Sequence, residues 1–182
     1  MNLDRLLVRP TATEIAAVLP GDAYLAVPDV VMDRAFSLLA PPVEVWPWLV
    51  QLGKSRAGWY LPRAVERLVP AARRALWHLD PAFLHQEVGD VIPDWGGKHA
   101  TFTVAAIEPV RLLLYTSTRG RTDLTWSVNL APAGPGTRVH LRLRLAPVKH
   151  RRLADAVGGF FDLATVSGLA GGLAERLAQP VR

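Results

Sequence analysis

The sequence predicts an α+β domain in which an antiparallel sheet is covered on one face by a long C-terminal helix. Three observations carry that expectation. From residue 88 to 145 apolar side chains recur with a period of two, in runs separated by Gly- and Pro-rich turns, as half-buried strands require. Residues 150–178 then read as one long helix, roughly 40 Å at 1.5 Å per residue, with Asp162 the only charge between 156 and 174. Between a first strand and the meander lies a helical region opened by a double proline. A sheet with one apolar face leaves its core exposed unless an element covers it, and the final helix is the available cover.

In chain order, Thr11 and Glu14 match a capping box for a short helix over 12–18, which Pro20 and Gly21 end. Residues 30–39 carry Val30, Met32, Phe36 and Leu38 in alternation and read as a strand. Arg34 falls on that same inward face, where it requires a partner or a wet cavity. A helix follows over 42–52, with proline tolerated in its first turn and Gly53 as its stop. Pro47 deletes a backbone hydrogen bond inside it, so Trp46 and Trp48 point to different sides, one of them toward a cavity. Further helices are expected over 62–69 and 71–79, broken at Pro70, and then Asp80 caps a turn whose first residue is Pro81.

The meander starts with the strand end in GDVIPDWGGK, where Gly96 and Gly97 supply a hairpin turn. Phe102, Val104 and Ala106 alternate with Thr101 and Thr103, and 112–118 forms the next strand after Glu108 and Pro109. Gly120 centres the following turn. The last two strands carry Leu124, Trp126, Val128 and Leu130, then Val139, Leu141, Leu143 and Leu145, on a dry face. Their opposite face, with Arg138, His140, Arg142 and Arg144, reads as wet. APAGPG over 131–136 is the loop between them. In the final helix Gly158, Gly159, Gly168, Gly171 and Gly172 each cost about 1 kcal/mol relative to Ala, so close approach to a sheet or a ligand must be the reason for them.

Composition narrows the function. The chain has 182 residues, 50% hydrophobic and 20% charged, enough for one domain with a sizeable core. It has no Cys, which excludes disulfides and thiolate chemistry and allows a reducing compartment. The N-terminal stretch has no apolar signal region and no cleavage pattern, so the cytoplasm is the default location. A net charge of +5 invites nucleic acid, but the basic residues are scattered and no aromatic-interleaved basic run appears, so no nucleic-acid partner is expected. Membrane association through the final helix is conceivable from Ala164, Gly168 and Gly172, a small-residue ridge, yet Asp162 near its middle is expensive in lipid. His78, His85, His99, His140 and His150 share no ligand spacing, so no metal and no cofactor is expected.

APPVEVWPWLVQLG, RAGWY, EVGDVIPDWGG, Thr125 with Trp126, GTRVHLRLR and the long final helix together resemble the SRPBCC superfamily, also called START-like or polyketide-cyclase-like, over about residues 30–178. The resemblance implies the helix-grip fold, a curved antiparallel sheet wrapped around a C-terminal helix with a hydrophobic cavity between them. It places 1–29 as a helical lead-in, 30–178 as the START-like ligand-binding domain and 179–182 as a tail. Arg34, Trp46, Trp48, Gln51, Gly53, Arg56, Gly58, Trp59 and Tyr60 match the N-terminal pattern of this branch, and Gly89 and Asp90 its VGD turn. It implies no catalytic motif.

Within such a cavity the expected ligand contacts are Trp59, Tyr60, Trp95, Phe102, Tyr115 and Trp126, with Phe160 or Phe161 closing it from the final helix. Arg34, Tyr60 and Tyr115 are the expected polar groups, and Trp95 on its Gly-flanked loop a lid. The expected function is binding or transport of a hydrophobic small molecule, a lipid or a polycyclic, polyketide-like metabolite. The alternative is a cyclase or dehydratase in which the cavity folds a polyketide-like chain and Arg34 or a tyrosine assists enolisation. A protein-interaction module requires an exposed apolar patch that the sequence does not plainly show. Oligomeric state is left open.

Overall fold

The computed structural model describes residues 8–149 and 158–179. Six strands, β1 (Val30–Leu38), β2 (Val91–Pro93), β3 (Thr101–Glu108), β4 (Leu112–Arg119), β5 (Thr122–Ala133) and β6 (Gly136–Ala146), form one antiparallel sheet in the order β1-β6-β5-β4-β3-β2. The sheet stays open, with β1 and β2 as edges. A register shift between Val104 and Ala106 marks a bulge in β3, a feature that bends and twists a strand. Helices α1 (Ala12–Ala16), α2 (Pro42–Gln51), α3 (Arg63–Glu66) and α4 (Gly159–Leu177) complete the chain order expected. Residues 150–157, the expected first turns of the final helix, lie outside the described residues, as do 1–7 of the lead-in and 180–182 of the tail.

The inner sheet face and α4 share one core. Phe36, Leu113, Val128, Val139 and Leu141 of the sheet are buried, and Val166, Leu169, Ala170 and Leu173 of α4 are buried with them. Among the described residues no helix is long and apolar enough to cross a membrane. The apolar stripe of α4 is occupied by the sheet, by α2 and by the 60–62 segment. That last contact explains Gly168, Gly171 and Gly172: a Cβ on Gly172 would stand 2.6 Å from the Leu61 amide nitrogen and from the Tyr60 carbonyl carbon. For these three the close approach is to a connecting segment, whereas Gly158 approaches the sheet as expected, a Cβ there standing 3.0 Å from Met32 Cε of β1.

Local chemistry decides most element ends. Glu14 N donates to Thr11 Oγ1 at 3.1 Å and Thr11 N to Glu14 Oε2 at 2.7 Å, so the capping box is complete. Asp80 Oδ1 accepts from Ala82 N at 3.0 Å and caps the short turn Pro81–Phe83. The β5–β6 hairpin is tighter than the 131–136 loop expected, since the strands run on to Ala133 and from Gly136, and Gly134 takes the turn at φ 59°. The 71–79 helix does not form. Only a turn over Ala71–Arg73 is helical, because Leu76 N instead donates to Ala57 O at 2.8 Å and Leu76 O accepts from Arg176. Tertiary hydrogen bonds outweigh the local helical preference there.

The outer sheet face differs most from expectation. Its arginines and His140 follow the pattern of a solvated face, but the lead-in lies across them, and His140 is 6% and Arg142 3% exposed. Arg142 donates to Ala17 O, Glu14 O, Ile15 O, Asp22 Oδ2 and Asp33 Oδ1, all within 3.0 Å. Arg144 holds Leu25 O and Asp22, and Gly21 presses onto Leu114 and Ser127. Burial pushes the Asp33 carboxyl up, while hydrogen bonds to His140 and Arg142 outweigh it and hold it below the usual range. With both faces covered, β4 reads Leu112, Leu113, Leu114 without alternation, as a doubly buried strand does.

Arg138 fastens the start of this strap, donating to both Glu14 carboxylate oxygens at 2.7 and 2.8 Å. Those hydrogen bonds hold the Glu14 carboxyl down to about 2 from an ordinary 4.5. Because the folded value is depressed, the stability this group contributes is present above about pH 4.5 and disappears as pH falls toward 2. In urea unfolding, wild type is expected to exceed Glu14→Gln in stability at pH 6, with the gap closing between pH 4.5 and 2. A gap that stays constant over that interval contradicts the assignment.

Candidate functional site

Between the inner sheet face and α4 lies a cavity of about 830 Å³. Its position follows from topology: β2, β4 and β6 end, and β1, β3 and β5 begin, at one end of the sheet, where they meet the N-terminal end of α4. One wall is aliphatic, with Leu124, Val128, Leu141, Leu143 and Leu145 from β5 and β6 facing Val166 and Leu169 of α4.

The other wall is aromatic. Tyr115 stacks on Trp126 with centroids 5.6 Å apart and planes at 24°, and Phe102 sits 5.8 Å from each. Trp59 lies 6.2 Å from Trp126 and meets Trp95 edge to face at 6.0 Å. Such pairs are worth about 0.5–1.5 kcal/mol each beyond buried area, so the wall is pre-formed. Trp59 Nε1 donates to Thr165 O at 3.0 Å and ties the wall to α4. Trp95 and Phe161 are 51% and 69% exposed, which places them at the mouth.

Polar groups behind the wall hold it in place. Tyr115 donates its hydroxyl to Gln86 Oε1 at 3.0 Å, and Gln86 in turn donates to Val50 O. Burial pushes the Tyr115 hydroxyl up to about 12, against the opposing pull of Gln86 and the Arg56 charge. Arg56 donates to Phe83 O and Val50 O, and burial lowers its own value. Among the described residues two ion pairs border the cavity. Arg119 bonds Asp94 and lies 5.2 Å from the Phe102 centroid, and Lys54 holds Asp94 O at 3.0 Å, so the loop carrying Trp95 is latched to the sheet. Arg34 Nε approaches Asp162 Oδ2 at 2.9 Å.

The structure brings six of the sequence-expected residues into the lining: Trp59, Trp95, Phe102, Tyr115, Trp126 and Phe161. The Phe160 side chain lies outside the described residues. Two expected residues stand apart from the lining. Tyr60 is fully buried, accepting from Gln51 and donating to Trp48 O at 2.9 Å, under the Arg176 guanidinium. Arg34 does face inward, but its Nη1 and Nη2 are given to Asp33 O and Gly159 O, both at 2.8 Å. Trp48 is buried edge to face against Tyr60, and neither it nor Trp46 lines the cavity. The RAGWY segment also works as scaffold, since Gly53 and Gly58 bridge each other and a Cβ on Gly58, at φ 84°, would meet Ala75 Cα at 2.9 Å. Sequence reasoning missed Gln86 and Arg119 as supports. Asp162 had a signal, being the only charge in an otherwise uncharged helical stretch.

The chain matches no protein-family model and no curated protein. Among solved structures it is similar to protein MLL2253 of Mesorhizobium loti, at 20% identity over 81% of this chain and 98% of that one, with a TM-score of 0.53. It is similar to protein CV1439 of Chromobacterium violaceum, at 16% identity over 82% and 98%, TM-score 0.52. A Rhodobacter sphaeroides protein matches at 16% identity over 89% and 97%, TM-score 0.53. These likenesses are of architecture, and with the open antiparallel sheet closed by α4 they give this chain the helix-grip fold that its resemblance to the SRPBCC superfamily implies.

Proposed function

We propose that this protein binds a hydrophobic small molecule in the cavity between sheet and α4, with the aromatic wall favouring a polycyclic, polyketide-like body over a lipid chain. The observation that carries the reading is the cavity of about 830 Å³, open at its Trp95 and Phe161 mouth and walled by packed aromatic and aliphatic side chains, the size and chemistry of a small-molecule site. Burial of apolar ligand surface supplies on the order of 25 cal/mol per Å² before the costs of association. Rings already ordered by Thr165, Gln86 and one another lose little freedom on binding, which lowers those costs. The lack of cysteine is compatible with a reducing compartment, and the cytoplasm is the location we propose.

Cyclase or dehydratase chemistry draws less support. Arg34 does not line the cavity and is held by Asp33 O, Gly159 O and Asp162, and the Tyr115 hydroxyl donates to Gln86, so neither is placed to assist enolisation. Native mass spectrometry of freshly purified protein is expected to show a retained non-covalent apolar molecule, or tryptophan quenching on titration with a polycyclic aromatic. Protein that carries nothing and whose fluorescence ignores aromatics and lipids alike rules the binding reading out.

A further inference from the structure

The two ion pairs at the cavity differ in what each presents to its interior. Asp94 and Arg119 both belong to the lining, so their charges cancel where a ligand would lie. Asp162 belongs to the lining and its partner Arg34 does not. Arg34 Nε pairs with Asp162 Oδ2 at 2.9 Å and that oxygen is sealed against it, while no hydrogen bond among the described residues reaches the other carboxylate oxygen. The nearest hydroxyl on the same helix, Thr165 Oγ1, is already bonded to the backbone oxygens of Phe161 and Asp162. A carboxylate that lines a largely apolar cavity with one oxygen lacking a donor is costly to desolvate, and a donor carried in by the ligand relieves that cost.

We propose that Asp162 is the polar recognition point of the cavity, accepting a hydrogen bond from a hydroxyl or amine on a flat aromatic ligand. This rests on the binding function proposed above. Arg34 is the positioning residue: its bonds to Gly159 O and Asp33 O fix the guanidinium beside Asp162, so its charge holds the carboxylate in place without competing for the ligand's donor. Burial pushes the Asp162 carboxyl up and Arg34 pulls it back, with burial the larger effect. Ligands whose only polar group is a carboxylate, such as free fatty acids, meet a like charge at this point and are disfavoured.

The test uses two fluorescent probes of one shape, 1-hydroxypyrene and 1-methoxypyrene, which differ in whether the oxygen carries a donor. Dissociation constants are read by tryptophan quenching at pH 7.5 on wild type, on Asp162→Asn, and on the double variant Arg34→Met with Asp162→Leu, which leaves neither charge buried alone. Wild type is expected to prefer 1-hydroxypyrene by about tenfold or more, the worth of a hydrogen bond to a charged group. Asp162→Asn should reduce that preference and the double variant abolish it, the ratio of the two dissociation constants being the readout, with a cooperative thermal unfolding transition showing that each variant is folded. A wild type that binds both probes equally, or a double variant that keeps the wild-type ratio, overturns the role of Asp162 and leaves the cavity's function standing. If wild type binds neither probe, the binding function fails and this inference with it.

Discussion

Replacing Arg176 with leucine is expected to destabilise the fold by about 3–5 kcal/mol, the cost of leaving a buried charge without its partner. The Arg176 side chain is fully buried and its Nη2 meets Glu66 Oε1 at 2.6 Å. Nε donates to Leu76 O at 2.8 Å, Nη1 to Gly172 O at 3.0 Å and Leu61 O at 3.2 Å. The guanidinium stands 4.0 Å from the Trp77 centroid and 4.5 Å from that of Tyr60, and Trp77 Nε1 donates to the other Glu66 oxygen at 2.6 Å. One side chain thus joins the end of α4 to α3, to the 60–62 segment and to the 76–77 segment. Since domains are stable by only about 5–15 kcal/mol, a large share of the total is at stake. Chemical denaturation of Arg176→Leu measures it. The double variant Glu66→Met with Arg176→Leu should recover a substantial part, because it buries no lone carboxylate. A single-variant loss under about 1 kcal/mol is incompatible with the charge pair described.

Gly172→Ala is expected to destabilise and Gly168→Ala to change little, although both exchanges gain about 1 kcal/mol of helix propensity. At 172 the new methyl meets backbone, the Leu61 nitrogen and Tyr60 carbonyl carbon at 2.6 Å, on a segment held by Arg176 and by the Tyr60 hydroxyl. That segment cannot yield cheaply, and overpacking of this kind costs about 1–3 kcal/mol, occasionally more. At 168 the nearest atom is Leu61 Cδ2, also at 2.6 Å, but it ends a half-buried side chain that can change rotamer. Thermal unfolding of the two variants separates the cases: equal melting temperatures would mean that α4 does not press on the 60–62 backbone as the structure has it. Displacing α4 also moves Thr165 and Asp162, so Gly172→Ala is expected to weaken binding of an aromatic probe in the folded fraction.

Legibility in the sequence followed the range of the interactions responsible. The capping box of Thr11 and Glu14, the cap at Asp80 and the inward apolar face of β5 and β6 each depend on residues within a few positions and each is present, whereas the outward face of those strands is covered where the pattern predicts water. The aromatic wall was legible for a related reason. Phe102, Tyr115 and Trp126 lie on three consecutive strands, and alternation alone aims them at the same face. Tyr60 and Arg34 read as site residues by type and position, yet each is engaged away from the lining by groups that local pattern does not reveal. For Tyr60 these are Trp48 O and Gln51; for Arg34, Gly159 O across 125 residues.

Sequence alone determined the element types apart from the 71–79 helix, the inward face of the strands and the aromatic character of the cavity, because period and propensity are properties of neighbouring residues. Tertiary structure decided whether a polar face meets water or protein, and which charge is left to a ligand. Arg142 is solvated by pattern and buried in fact, since its partners at Glu14, Ala17 and Asp22 arrive from 120 or more residues away. Asp162 faces the cavity because Arg34 approaches it from β1, a strand that only the folded sheet sets beside α4.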